Sequence, residues 1–218
     1  MPSVLVAGGT GYVGRALVTV LVARKHDVRV LTRAASVSRV PAGAATVLGD
    51  ALEPGSYSAA VRPGDTIVQL VGTPHPSPSK AAEFQRVDAP SINAAVHAAR
   101  SRGALQLVYV SVAHPAPLMR AYVEVRSAGE AAIRSAGLTA TILRPWYVLG
   151  PGHRWPIALV PIYAAARLVP SLRAGAERLG LVTLAQMVAA LVAAVEHPPA
   201  PGAIRIVEVP EIRRAVTV

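Results

Sequence analysis

The chain contains no cysteine, which excludes disulfides and any metal site built on thiolates. Lysine is almost missing: only Lys25 and Lys80 are present, and every other basic residue is an arginine. Aromatic side chains make up 4% of the residues, so there is little for nucleobases to stack on. The formal charge is +10, a value that nucleic-acid or membrane binding would exploit. The charge is not concentrated, however. Residues 1–110 hold 11 basic and 6 acidic side chains, and the rest of the chain holds the same numbers. The only adjacent basic pairs are Arg24-Lys25 and Arg213-Arg214, so no nucleic-acid partner is expected. No apolar run is long enough to cross a bilayer, and no integral membrane segment is expected. The uncharged stretch from Leu179 to Val195 has apolar residues at helical spacing and reads as a core helix. No cluster of His, Asp and Glu has metal-ligand spacing, so the expected metal is none. The expected location is cytoplasmic.

What is present is a regular alternation of apolar runs with helical patterns, the mark of parallel α/β structure. Strands are expected at 3–8, 27–33, 45–50, 65–72, 105–111 and 138–145, with a late strand at 203–209. Helices are expected at 15–25, from the Pro-rich loop 73–79 through Arg102, and at about 119–136. The expected fold is an α/β, Rossmann-type, doubly wound parallel sheet in a single domain, 1–218. Its last part, about 151–218, is expected to form a small C-terminal cap that is not independent.

The segment "VLVAGGTGYVGRAL" follows the first strand and opens the first helix. Gly8, Gly11 and Gly14 are spaced three apart. They suit a tight turn, a close approach to a pyrophosphate, and tight packing of helix on strand. Free N–H groups and the positive helix end would then face the phosphates. The second strand ends "VLTR", with no carboxylate between Arg29 and Val47. An acid there would hold a ribose 2′-hydroxyl, whereas Arg33, with Arg39 or Ser36 assisting, suits a 2′-phosphate. The expected cofactor is NADP, with NAD possible.

On these residues the chain resembles the short-chain dehydrogenase/reductase superfamily, in its extended and atypical branches, along most of its length. "GGTGYVG", "LGD" (48–50), "LVG" (70–72), "LVYVS" and "SAGLTATILRPWYVLGPG" (135–152) carry the resemblance. Within the branch it is most similar to NmrA-like and complex-I 39-kDa-subunit-like proteins. Some of those are reductases, and others bind the nucleotide without known turnover. The resemblance implies that Gly8, Thr10, Gly11, Tyr12, Val13 and Gly14 hold the phosphates. It also implies that Asp50 approaches the adenine and that Val71, Gly72 and Thr73 lie under the cofactor.

It implies a catalytic set as well, with departures. The superfamily pattern is Tyr-x-x-x-Lys with a Ser or Thr at the end of the fifth strand. Here "AYVEVR" places Tyr122 where the tyrosine falls and Arg126 where the lysine falls. Ser111 stands where a serine pair begins, but Val112 follows it. A phenol titrates near 10 when unperturbed, and a permanent cation beside it would favour the tyrosinate. Arg126 is also four residues from Glu130, so a helix-surface ladder Tyr122–Arg126–Glu130 is the structural alternative. Thr73, His75 and His114 lie on loops at the carboxyl ends of strands, and His114 is a second proton-donor candidate. Trp146, Tyr147, His153, Arg154 and Trp155 would either line a substrate pocket or anchor the cap. The segment 155–170 is a candidate for peripheral membrane contact, which its prolines disfavour. Two functions stand side by side: an NADP-dependent oxidoreductase acting on a small organic substrate, and a non-catalytic NAD(P)-binding sensor or assembly protein.

Overall fold

The computed structural model describes residues 2–116, 119–151, 175 and 177–215. Its centre is a seven-stranded, wholly parallel sheet. The strands are β1 (Ser3–Ala7), β2 (Asp27–Thr32), β3 (Ala45–Leu48), β4 (Thr66–Gln69), β5 (Gln106–Val110), β6 (Ala140–Arg144) and β9 (Ile204–Glu208). Their order is β3-β2-β1-β4-β5-β6-β9. Two further strands, β7 (Tyr147–Leu149) and β8 (Leu181–Thr183), pair in a separate parallel ribbon. The helices are α1 (Tyr12–Ala23), α2 (Ala81–Glu83), α3 (Ala89–Arg102), α4 (Arg120–Ser135), α5 (Leu184–Glu196) and α6 (Val209–Arg214). This is a Rossmann-like α/β fold.

The strands read as near-continuous apolar runs because both faces of the sheet are covered. Successive side chains alternate between the two layers. Val4, Val6, Val28, Val30 and Val68 face one side and pack with Leu17 and Leu21 of α1 and Met187 and Leu191 of α5. Leu5, Ala7, Ile67, Leu107, Tyr109 and Ile142 face the other, against Ile92, Ala95 and Ala99 of α3 and Ile133 of α4. Strand order reverses between β1 and β4, and the crevice beyond their carboxyl ends is where open α/β sheets bind ligands.

Several boundaries differ from the sequence expectation. The stretch expected as one helix from Leu179 is divided. Leu181–Thr183 is strand β8, and α5 begins only at Leu184. Thr183 caps α5 in a reciprocal box: its Oγ1 accepts from the Gln186 N–H, and Gln186 Oε1 accepts from the Thr183 N–H. The expected late strand enters the main sheet as its seventh member, parallel to β6. The helix expected to run into Arg102 is broken by a π turn at Phe84–Asp88, just before Pro90, which has no N–H to donate. That turn carries Asp88, which proves central to the site.

Candidate active site

The glycine turn is built as its glycines require. Gly8 has φ of +87°, and a Cβ there would stand 3.0 Å from the Leu70 and Val71 backbone. Its carbonyl accepts from the Gly11 N–H at 3.0 Å, closing the turn from β1 into α1. At Gly14 a Cβ would fall on the Gly8 carbonyl oxygen and lie 2.7 Å from Gly9 Cα. α1 therefore packs against the turn in a way no side chain at Gly14 allows. Gly11 caps α1 without a side-chain partner for the first N–H groups, which suits an anion.

A groove of about 340 Å³ runs from this loop over the ends of β2 and β4. It brings together six of the residues expected to hold a cofactor: Gly8, Thr10, Arg33, Asp50, Val71 and Gly72. Gly11, Val13 and Gly14 shape the turn and the start of α1 but are not in the lining. Tyr12 lines a neighbouring cavity instead. Ser36 and Arg39 join Arg33 in the groove, and Arg39 donates to Ser36 Oγ. Asp50 and Glu83 are the only carboxylates in the lining among the described residues.

Thr73 is turned inward. Its N–H and Oγ1 both donate to Asp88 Oδ2, at 2.9 and 2.7 Å. Arg126 Nη2 forms an ion pair with the other oxygen of Asp88, 2.7 Å away, and Arg126 Nη1 donates to the Val110 carbonyl at 2.9 Å. Arg126 is 5% exposed and Asp88 1%. A Cβ on Gly72 would collide with the Arg126 guanidinium, so this glycine makes room for it. The Arg126 Cζ lies 5.2 Å from the Tyr122 ring centroid and 5.8 Å from that of Tyr109, in the range of cation–π contact. Burial by itself would lower the Arg126 pKa; the neighbouring Tyr122, Tyr109 and Asp88 outweigh it and raise the pKa overall. The Tyr109 phenol is pushed up to about 12, chiefly by burial. The local ladder from Arg126 to Glu130 does not form. Asp88, from the preceding helical segment, takes the guanidinium instead.

Glu130 has a separate network. Its carboxylate receives Ser111 Oγ–H at 2.7 Å and Arg144 Nε–H at 2.9 Å, together with a second Arg144 bond, Arg134 at 3.3 Å and His114 at 3.3 Å. Arg144 also reaches Glu208 on β9. Burial alone would raise the Glu130 pKa; bonds from Arg144 and Ser111 more than offset it and hold the carboxyl below its ordinary range.

A second cavity, of about 330 Å³, opens beside these networks. Ser111 and Tyr122 share its lining with Tyr12, His75, Val110, Trp146 and Tyr147. The Tyr122 ring is steadied by Phe84, at 4.9 Å between centroids. Thus the structure gathers Tyr122 and Ser111 around one cavity and places Arg126 behind the tyrosine ring, while His114 turns away to Glu130. Of the aromatic residues expected after β6, Trp146 and Tyr147 line the cavity; His153, Arg154, Trp155 and the segment 155–170 lie outside the described residues.

The NAD(P)H-binding family model matches residues 8–154, more than half of the chain. The chain belongs to that family. The chain is 28% identical to the ceramide reductase of Caulobacter vibrioides over 213 residues, covering 97% of this chain and 65% of the relative. It is 33% identical to a 3-diazoavenalumate denitrifying reductase of a Streptomyces species over 178 residues, covering 68% of this chain and 57% of the relative. It thus spans under two thirds of the length of both. Among solved structures, a short-chain dehydrogenase/reductase superfamily protein from Agrobacterium tumefaciens with bound NAD has TM-score 0.67 at 19% identity, covering 94% of this chain and 76% of the other. A UDP-N-acetylglucosamine 4-epimerase from Bacillus cereus has TM-score 0.69 at 17% identity, covering 95% and 79%. These two share its fold. Among the described residues no helix is long and apolar enough to cross a membrane.

Asp88 was not found from the sequence, because no local pattern marks it. Ser36 and Arg39 were legible only as accessories to Arg33.

Proposed function

We propose that this chain is an NADPH-dependent reductase of the atypical short-chain type, acting on the carbonyl of a small organic molecule. One observation carries the reading. Tyr122 lines a cavity together with Tyr12, the first residue of the helix that starts at the glycine turn. Both named relatives are reductases, which supports it. Arg33 and Arg39, at the end of β2, supply fixed positive charge where a 2′-phosphate would lie, and favour NADPH over NADH. The glycine turn suits a pyrophosphate, because Gly11 caps α1 with no side chain over its first N–H groups.

When bound, the dihydronicotinamide supplies a hydride. Tyr122 supplies the proton: its phenol donates to the carbonyl oxygen as the carbonyl carbon is reduced, and water reprotonates the tyrosinate. Arg126 does not reach toward a substrate. It stiffens the tyrosine from behind and lends part of its charge, the rest being neutralised by Asp88. The test is NADPH oxidation against aldehydes, ketones, quinones and enones. Tyr122→Phe is expected to lower turnover about 10²–10⁴-fold and to leave NADPH affinity unchanged. Turnover that survives this change would remove Tyr122 from the mechanism and make His75, which also lines the cavity, the next residue to replace.

A second reading, a nucleotide-binding sensor without turnover, is favoured by a different observation. The residues that would assist Tyr122 are engaged elsewhere, Arg126 by Asp88 and Val110, and Ser111 by Glu130. Bound NADPH with no oxidation of any substrate on the panel would select this reading.

A further inference from the structure

A serine hydroxyl has one proton and two lone pairs. Ser111 spends its proton on Glu130, whose carboxylate also receives two bonds from Arg144 and one from Arg134. With cationic donors on both of its oxygens, Glu130 is an ionised acceptor and has no proton to return. Its side chain is 1% exposed, and its nearest charged and titratable neighbours are Arg134, Arg144 and His114. Ser111 is 2% exposed and lines the cavity that Tyr122 lines. Its orientation is therefore fixed by a buried network and not by solvent. Only lone pairs remain for whatever occupies the cavity, and donation to a carboxylate makes the oxygen a better acceptor.

Among the described residues the rest of the lining is aromatic, apolar or neutral, with His75 as the only ionisable nitrogen base and no arginine or lysine. Such a wall does not pair with a phosphate or a carboxylate.

We infer that Ser111 acts as a hydrogen-bond acceptor toward the substrate, held in that sense by Glu130 as a positioning residue, and that the cavity takes an uncharged, largely apolar ketone carrying a hydroxyl or amide N–H donor. This rests on the reductase reading for the word ketone. The donor requirement rests on Ser111 and Glu130 alone. A plain carbonyl has nothing to give Ser111 and would leave its oxygen unpaired against an apolar body, the kind of mismatch by which polar sites reject analogues.

The experiment is titration calorimetry on the full chain saturated with NADP+, in which no hydride is available. The probes are α-hydroxyacetophenone and its methyl ether, α-methoxyacetophenone. The hydroxyl probe is expected to bind about tenfold more tightly, the value of one hydrogen bond to a well-placed acceptor. Ser111→Ala should bring the two probes to within about twofold, because the acceptor is gone while Glu130 keeps its arginine partners. Glu130→Gln should go further. Its amide N–H can donate to Ser111 Oγ, freeing the serine proton, so the ether should equal or pass the alcohol. That crossover is not what a loss of packing alone would give, and Ser111→Ala decides the matter if Glu130→Gln does not fold. Equal affinities in the wild type, a hydroxyl preference that survives Ser111→Ala, or no binding of the hydroxyl probe would overturn the inference. Binding with the expected preference but no NADPH oxidation would overturn the reductase reading and leave this one standing.

Discussion

Asp88 should be the most sensitive residue outside the cavity itself. Among the described residues it is the only carboxylate on Arg126, and it fixes Thr73 through two hydrogen bonds. Asp88→Asn removes the charge and turns one of its two acceptor oxygens into an N–H donor. Arg126, almost wholly buried, is then left with the Val110 carbonyl and two ring faces. Breaking a buried ion pair by removing one partner costs about 3–5 kcal/mol. For a chain of this size that lowers Tm by on the order of 10 °C. Function should fall with it, because Thr73 directly follows Gly72, which lines the groove proposed to take the nucleotide. Releasing that loop makes ordering it part of binding, which weakens NADPH by about tenfold at roughly one kcal/mol per residue reordered. The assay is thermal melting and NADPH titration on Asp88→Asn, Arg126→Met and the double variant. If the pair is the cause, the double variant should be more stable than the sum of the single losses predicts, by at least about 1 kcal/mol. Strictly additive losses, or single losses below about 1 kcal/mol, would refute the reasoning.

Arg33→Ala should weaken NADPH by about 1.5–3 kcal/mol and leave NADH nearly unaffected, since only the former has a 2′-phosphate to pair; calorimetry with both nucleotides checks it, and equal losses would exclude Arg33 as the discriminating cation. Gly14→Ala should abolish nucleotide binding and lower Tm, because the new Cβ meets the Gly8 carbonyl and Gly9 Cα, neither of which is the movable tip of a side chain. Glu130 gives a pH signature. Its folded pKa lies below the unfolded value near 4.3, so its stabilising contribution is present above about pH 4.3 and is lost as pH falls through the folded value. The stability gap between wild type and Glu130→Gln should therefore narrow on acidification below about pH 4, read by denaturant unfolding at each pH.

The parts legible in the sequence were those in which neighbours in sequence are neighbours in space. The glycine turn is contiguous, and its strand-to-helix context fixes what its glycines do. Arg33 was visible because the end of a parallel strand always faces the crevice. The division of Leu179–Val195 was also written there, since Thr183 and Gln186 form the spacing that starts a helix, but the apolar spacing across Leu181 and Leu184 masked it. The polar core of the site was not legible. Spacing of four within a helix offers Arg126 to Glu130. Which partner each takes depends instead on how α4 lies against α3 and β5, and small residues decide that. Gly129 lets Tyr109 and Ile92 approach α4, where a Cβ would sit 2.9 Å from the Tyr109 hydroxyl. Gly72 clears the space for the guanidinium. The carboxylates then divide between the two arginines nearest in space, Asp88 to Arg126 and Glu130 to Arg144.

That division bears on how Tyr122 would work. With Asp88 2.7 Å from Arg126, the field that reaches the phenol is closer to that of an ion-pair dipole than of a free cation. A lysine-like stabilisation of the tyrosinate is correspondingly reduced. Tyr122 would then work with little help from Arg126, whichever way the proton moves. The arrangement around Ser111 points the same way. A serine that donated to the carbonyl would share with Tyr122 the work of stabilising a developing alkoxide. Here Glu130 holds that proton, so under the proposed mechanism the developing charge would be neutralised by proton transfer from Tyr122 alone. Activity would then depend on the phenol far more steeply than on the serine. The two residues, side by side in one cavity, would be separated by their kinetics: loss of the phenol in kcat, loss of the serine in the binding of substrates that bear a donor.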